Sequence, residues 1–599
     1  MFKISFSKLS AEALLALKRF PAALLVAFIG TATLIYLIDA PYNEKHFVLY
    51  NLVHTAVLGF SFLISISVFC ESKKMTFIQN HLFQIIGLAL LAGYYFYLPN
   101  AELSEIYYFR AALLFIIMHL SVSFVPFILG GSQNDFWEYN KRMFIYILTA
   151  ALYTVVLFGG LALAILAVDQ LFKVNIDDEI YPRLWIFMVG IFNSWFFLSK
   201  FPKQYNEQQA EYPTALRLFT QYVLLPLVTI YLLILYGYEI KIIALWELPM
   251  GWVSYLIIGF SIVGILALLL LFPLQENEQF KWVRKYTKSF YFALFPLILL
   301  LFIAIGKRIS DYGITENRYF ILILALWLLG TSVFMLIKRL KNIKIIPISL
   351  ACVALFSTAG PQSAFSVAKY SQFSRLEKIL KENNAWKNGK FTVFTKQPSD
   401  SVNREIYSIV NHISELYDYK TVRKDFAKLS VNLPDTTLSQ YLVTDMVMKK
   451  MGLNNVNVAY SESGRYFNFT GDTQKPDIIP IEDYQNFIEY TSYFDSYSDS
   501  AKTYTFEADS LTIDFESEHN ILTLTGSKEK KAEFDLNEFV IKYSDEKDDE
   551  YKTFKIQDLT ITGLSKNMKA KMIIKSIYGY RNGQKISIQN INAYIFYSE

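Results

Sequence analysis

The sequence predicts a polytopic α-helical membrane protein, with about 11 transmembrane helices, followed by a soluble α+β domain holding an antiparallel sheet or sandwich. Three observations predict it. Eleven apolar stretches, each about as long as a bilayer is thick, fall within residues 1–359. The apolar signal then stops, and residues 360–599 are polar. Within that tail the hydrophobic period changes near residue 456 from that of a helix to that of a strand. The expected divisions are a transmembrane helical domain (1–359), a helical juxtamembrane part (360–455) and a β-rich part (456–599).

A hydrocarbon core of about 30 Å takes about 20 apolar residues per helix, and lipid cannot satisfy an exposed backbone, so each stretch reads as a crossing helix. The spans are expected at Pro21–Ile38, Phe47–Cys70, Leu82–Leu98, Tyr107–Leu129, Met143–Val168, Leu184–Ser199, Leu218–Tyr238, Trp252–Phe272, Ser289–Ile305, Tyr319–Ile337 and Ile343–Ala359. Positive segments resist translocation. With the N-terminus cytoplasmic, one set of loops carries 19 Lys and Arg and the opposite set 7. Eleven spans then place the tail outside the cytoplasm.

Residues 1–359 carry a net charge of +7 and the tail −3, so neither part reads as a nucleic-acid binder. The lipid bilayer is the expected partner of the first part. Cys70 and Cys352 both fall in spans, so the tail has no disulfide and needs an ordinary core.

In the tail, Phe373, Leu376, Ile379 and Leu380 fall at helical spacing. A second apolar stripe, Ile406, Ile409, Val410, Ile413, Leu416 and Tyr417, follows a capping Asp400 or Ser401. A third helix begins behind Asp435. Beyond residue 456, Leu511, Ile513 and Phe515 alternate with polar residues, as do Phe539, Ile541 and Tyr543. Asn582-Gly583 is the strongest hairpin signal in the chain.

Catalytic signatures are missing from the sequence. The six histidines never approach ligand spacing, and there is no glycine-rich phosphate loop, paired-cysteine motif or serine elbow. No metal site, catalytic residue or cofactor is expected. The acidic run 545–550 lacks the alternation and glycine of a calcium loop and reads as a solvated turn.

Polar residues within spans need a reason, because a charge in lipid costs at least about 2.5 kcal/mol. His119 and Asn193 fall near the middle of spans four and six and form a candidate intramembrane site, although each can simply bond a neighbouring helix. No Asp or Glu sits at a midplane, which argues against ion-coupled transport. Charged and special residues instead crowd the outer span ends: Asp169, Gln170, Glu247, Trp252, Asp311, Tyr312, Glu316 and Arg318. That clustering suggests a ligand or docking surface beneath the tail.

Those segments also carry a resemblance. Leu166-Ala167-Val168-Asp169-Gln170-Leu171-Phe172, Phe192-Asn193-Ser194-Trp195, Trp246-Glu247-Leu248-Pro249-Met250-Gly251-Trp252 and Tyr312-Gly313-Ile314-Thr315-Glu316-Asn317-Arg318-Tyr319 resemble a bacterial membrane family known as domain of unknown function forty-one fifty-three. Gly360-Pro361-Gln362-Ser363-Ala364-Phe365-Ser366-Val367, followed by Ser371-Gln372 and Arg375, is similar to that family's junction segment. The resemblance covers most of residues 15–430 and fades over the last hundred or so. It implies a protein of the bacterial inner membrane and brings no activity with it.

Three functions follow as expectations. The first is a non-catalytic envelope scaffold whose extracytoplasmic tail, residues 360–599, binds a partner protein or envelope component. The second is a carrier or channel for a lipid-like or small amphiphilic substrate near His119 and Asn193. The third is a membrane-surface enzyme using Asp169, Glu247 and Arg318.

Overall fold

The computed structural model describes the chain except residues 1–5, 41–45, 101–102, 203–211, 246–251, 339–340, 388, 395–396, 435–439, 454–464, 472–480, 482–483, 494–501, 507–508, 517–518, 527–529, 544–549, 566–567, 583–584 and 599. Its contacts divide the chain into two units, Met1–Leu453 and Asn454–Glu599.

The first unit is helical. It opens with α1 (Phe6–Arg19), α2 (Pro21–Asp39), α3 (Phe47–Ser72), α4 (Phe77–Tyr97), α5 (Glu105–Phe124) and α6 (Gln133–Phe172). Next come α7 (Ile180–Phe187) and α8 (Ser194–Ser199), joined by a π-turn at Met188–Asn193. After α9 (Thr214–Phe219), a second π-turn at Thr220–Leu224 leads into α10 (Leu225–Leu245). The apolar series ends with α11 (Trp252–Leu270), α12 (Lys281–Tyr312), α13 (Glu316–Ile337) and α14 (Ile345–Thr358).

Among the described residues, nine helices are long and apolar enough to cross a membrane, against eleven spans expected. The other two expected spans are helical as well. Span six is the α7–α8 run, interrupted where Gly190 meets α2: a Cβ there would stand 2.0 Å from Thr31 Oγ1. Span eleven is α14, whose 14 residues rise only about 21 Å. The turn before α10 has a proline explanation. Pro226 has no N–H for the carbonyl four residues back, and its ring crowds that carbonyl, so the preceding backbone opens into the wider π geometry.

Four helices follow, α15 (Ala364–Glu382), α16 (Asp400–Leu416), α17 (Tyr419–Lys428) and α18 (Gln440–Lys450), with a short hairpin of β1 (Trp386–Lys387) and β2 (Lys390–Phe391) after the first. They form a collar whose core is not its own. Leu376, Ile379, Ile406, Val410, Ile413 and Phe426 bury in one cluster with Ile106, against which Tyr107, Phe109 and Leu113 of α5 and Phe320 of α13 also pack.

The second unit holds two sheets over one core. Its strands are β3 (Arg465–Gly471), β4 (Asn486–Tyr493), β5 (Lys502–Phe506), β6 (Asp509–Glu516), β7 (Ile521–Thr525), β8 (Lys531–Asp535), β9 (Glu550–Phe554), β10 (Thr560–Thr562), β11 (Leu564–Ser565), β12 (Lys569–Asn582) and β13 (Lys585–Ser598). One sheet runs β4-β13-β12-β3-β9 with β10 also on β12, and the other β11-β8-β7-β6-β5. The pairing is antiparallel except for β3 with β9, which is parallel. β12 and β13 form the expected hairpin, paired from Lys569↔Ser598 to Asn582↔Lys585. Inward residues of both sheets, including Leu522, Leu524, Phe534, Met572, Ile574, Ile591 and Ile595, make one buried cluster.

One expected strand is a helix. Residues 539–543 lie in α19 (Leu536–Tyr543), capped by Asp535 Oδ1, which accepts from Asn537 N at 2.8 Å. Leu536, Phe539 and Val540 are buried at helical spacing, and Ile541 faces outward. The cap and the i, i+3, i+4 spacing outweigh the two-residue alternation.

Candidate functional site

The turn from α12 to α13 meets the start of α15, 43 to 63 residues further along the chain. α12 ends at Gly313, whose φ of +70° belongs to the left-handed region that glycine occupies at least cost. A Cβ there would also stand 3.1 Å from Ser371 Oγ and 3.2 Å from Gln372 Nε2. This close approach lets α15 bond the turn directly. Ile314 N donates to Ser371 Oγ at 2.8 Å, and Gln372 Nε2 donates to the carbonyls of Tyr312 and Ile314 at 3.2 and 2.9 Å. Arg375 Nη1 adds a second α15 donor to the Tyr312 carbonyl at 3.1 Å, and Tyr319 Oη donates to the Gln362 carbonyl at 2.8 Å. The carbonyls left over at the end of α12 thus find side-chain donors.

Glu316, in the first turn of α13, is the buried charge of this junction at 3% exposure. His412 Nε2 of α16 stands 2.9 Å from its Oε2, without the alignment of a hydrogen bond. Tyr417 Oη stands 3.3 Å from Glu316 Oε1 and donates to the Phe365 carbonyl at 2.7 Å. Burial first, then the Glu316 carboxylate, push the Tyr417 hydroxyl far above the usual phenol range, so it serves as a donor. Arg110 of α5 closes the group, its guanidinium 5.2 Å from the Phe365 ring centroid. Beside it, Asp425 is clasped by Lys369 at 2.8 Å and Lys428 at 2.7 Å, and Arg375 also pairs with Glu405. Burial raises the Asp425 carboxyl, but the two lysines outweigh it and hold it below the usual carboxylate range.

Of the residues expected at this surface, Tyr312, Glu316 and Arg318 gather here. Arg318 Nη1 donates to the Tyr312 and Gly313 carbonyls at 3.0 and 2.8 Å, with its guanidinium over the Tyr312 ring. Asp311 pairs with Lys307 one turn back, at 3.0 Å. Asp169 belongs to another loop, where its Oδ1 accepts from Ile176 N at 2.8 Å and its Oδ2 from Gln170 Nε2 at 3.2 Å. Trp252 opens α11, and Glu247 lies outside the described residues.

His119 and Asn193 hold different pairs of elements. His119 Nε2 bonds Ser61 Oγ of α3 at 2.9 Å, in a seam that continues through Ser65 and Ser121. Asn193 Oδ1 accepts from Thr154 Oγ1 of α6 at 3.3 Å. Among the described residues, no three His, Cys, Asp or Glu side chains are grouped to hold a metal ion.

Sequence reasoning passed over Gln372, His412, Tyr417 and Asp425 as site residues. His412 borders the apolar stripe of α16 and Tyr417 ends it, and a histidine beside such a stripe is the available signal.

The fold and junction define a multi-pass integral membrane protein with the ends of α12 and α13 bonded into a polar collar. A family model described as "Domain of unknown function (DUF4153)" matches residues 15–382, and the chain belongs to that family. It is also 28% identical, over 257 residues, to a Pasteurella multocida (strain Pm70) protein named "Uncharacterized protein PM1469". That match takes in 41% of this chain and 43% of the relative, less than half of either. No solved structure matches the chain.

Proposed function

We propose that the protein is a non-catalytic scaffold of the bacterial inner membrane, with its N-terminus cytoplasmic and residues 360–599 extracytoplasmic, binding a partner protein or envelope component through the region after the collar. The observation that carries this reading is the collar itself: it shares its core with α5 and α13 and pins Glu316 beneath His412 and Tyr417. Such bonding fixes the collar to the ends of α12 and α13. The use of polar groups supports it as well. Asp169 is bonded to the backbone and neighbour of its own loop, Arg318 to the carbonyls of its own, and His119 and Asn193 to separate neighbouring helices. A surface enzyme would need acid, base and substrate charge to converge.

The reading makes two demands. Crosslinking followed by mild-detergent purification from native membranes recovers one partner repeatedly, and deletion of residues 465–599 abolishes its recovery. Alkaline phosphatase fused after Glu599 is active, whereas fusion after Lys344 is not; equal activity in both fusions overturns the orientation. Repeated failure to recover a partner, together with a ligand retained beside His119 or Asn193, overturns the scaffold reading in favour of a carrier.

A further inference from the structure

At the end of the helices opposite the collar lies a cavity of 1140 Å³, walled by α1, the last turn of α3, the segment after α5 and the end of α8. Its lining combines two chemistries. Leu15, Pro126, Phe127, Leu129 and Leu198 give it an apolar wall, and Lys18, Lys73 and Lys74 give it cations.

The other charges at the cavity are already satisfied. Glu71 takes both Nε and Nη2 of Arg19, at 2.6 and 2.7 Å, and Arg19 also donates to the Phe201 and Pro202 carbonyls. Helix C-termini carry partial negative charge that would repel an anion. Arg19 covers the carbonyls beyond α8, and Lys344 donates to those of Gly130 and Gly131 beyond α5. No ion pair involves Lys18, Lys73 or Lys74 among the described residues, so their charges remain available to a ligand. Lys74 holds φ +52°, the left-handed position after a helix where glycine is cheapest, which sets a cation there against backbone preference.

The surroundings fit a bilayer interface. α1 leaves Leu14 and Leu17 exposed beside the cavity, the apolar face of an interfacial helix. The cavity also lies at the ends of two membrane-length apolar runs, Phe47–Ser72 and Glu105–Phe127, and of α8.

We propose that this cavity binds the phosphate headgroup of an anionic glycerophospholipid, with Lys18, Lys73 and Lys74 as the cationic contacts and the apolar wall receiving the start of the acyl chains. Lysine recognises phosphate as a point charge, and a cluster of lysines at the membrane surface favours anionic over zwitterionic lipid.

The test uses the full chain in nanodiscs and in zwitterionic detergent, with phosphatidylglycerol, phosphatidylcholine and inorganic phosphate as probes and native mass spectrometry as the readout. The parent retains phosphatidylglycerol in preference to phosphatidylcholine. The triple variant Lys18→Gln, Lys73→Gln, Lys74→Gln weakens that retention on the order of a hundred-fold. A control triple on α12, Arg284→Gln, Lys285→Gln, Lys288→Gln, leaves it within about two-fold. The triple Lys-to-Arg variant at 18, 73 and 74 keeps the charge and retains the lipid, which separates lost binding from lost folding. Equal losses in the cavity and control triples would mean general surface attraction and overturn the proposal, as would unchanged retention in the cavity triple or loss in the arginine variant. Inorganic phosphate binding as well as phosphatidylglycerol would make the ligand a free anion and overturn the lipid assignment.

Discussion

The collar and the sheet unit both follow the last apolar stretch, yet they hold themselves together differently. Every buried residue of the sheet cluster lies between Phe467 and Ile595. The collar cluster is completed by Ile106, with Tyr107, Phe109 and Phe320 packed against it, all from membrane helices. Both regions also bury polar side chains: Gln372, Asn403, Ser414 and Asp425 in the collar, and Asn520, Arg581 and Asn590 in the sheet unit. An apolar core closed on itself needs no second body, whereas half a core exposes apolar surface when separated from the other half. The end of the apolar stretches at residue 359 and the division of contacts after Leu453 are therefore different boundaries.

The largest expected effect is on isolated fragments. Residues 465–599 alone give a cooperative melt by circular dichroism and dispersed amide resonances, and residues 370–453 alone give neither. A folded 370–453 fragment would erase the contrast. It would have to form without Ala364 to Lys369 of α15 and without the α5 and α13 surface.

Next come single core truncations in the full chain. Phe365 is 2% exposed at the junction and Phe534 is fully buried in the sheet core. Phe365→Ala and Phe534→Ala each cost about 3–5 kcal/mol. Hydrogen exchange locates the loss: the first speeds exchange in residues 1–453 and the second in 465–598. Spread of either effect into the other unit would show that the two unfold together.

Smaller, and more specific to the junction, is Tyr417→Phe. It removes the side-chain donor to the Phe365 carbonyl, at a cost of about 0.5–1.5 kcal/mol. Combined with Glu316→Gln, the losses are non-additive, because the two side chains share the contact at 3.3 Å. Additive losses in a thermal-melt cycle would separate Glu316 from Tyr417 energetically.

The smallest effect is one of pH. The Asp425 carboxyl lies below its unfolded value of about 3.9, so its contribution is complete at neutral pH and is lost as pH falls through the folded value. Asp425→Asn costs about 1 kcal/mol at pH 7, since Lys369 and Lys428 remain partly hydrated. Its penalty shrinks in acid. A penalty that stays constant from pH 7 to pH 3 would assign the loss to packing rather than to charge.

Much of this organisation was legible in the residues. The apolar stretches place the membrane helices, since length and hydropathy are summed over some twenty positions and tolerate local irregularity. The two segments around Tyr312–Tyr319 and Gly360–Arg375 stood out as family-like, and they meet in the structure. That Glu316 is buried was not legible, because an acidic residue in the first turn of a helix looks the same at a surface. Glu316 is covered by His412 and Tyr417, whereas Asp311, in the last turn of α12, pairs with Lys307 on its own helix.

By itself, then, the sequence determined which segments are apolar, where the period changes from helix to strand, and that β12 and β13 form a hairpin, because each depends on neighbours within one or two turns. Only the tertiary structure decided that the collar belongs with the membrane helices, that residues 536–543 coil rather than extend, and that Lys18, Lys73 and Lys74 surround one cavity. These depend on contacts between residues tens to hundreds of positions apart. Close packing and the pairing of buried charges select among arrangements that local preference leaves nearly equal in energy.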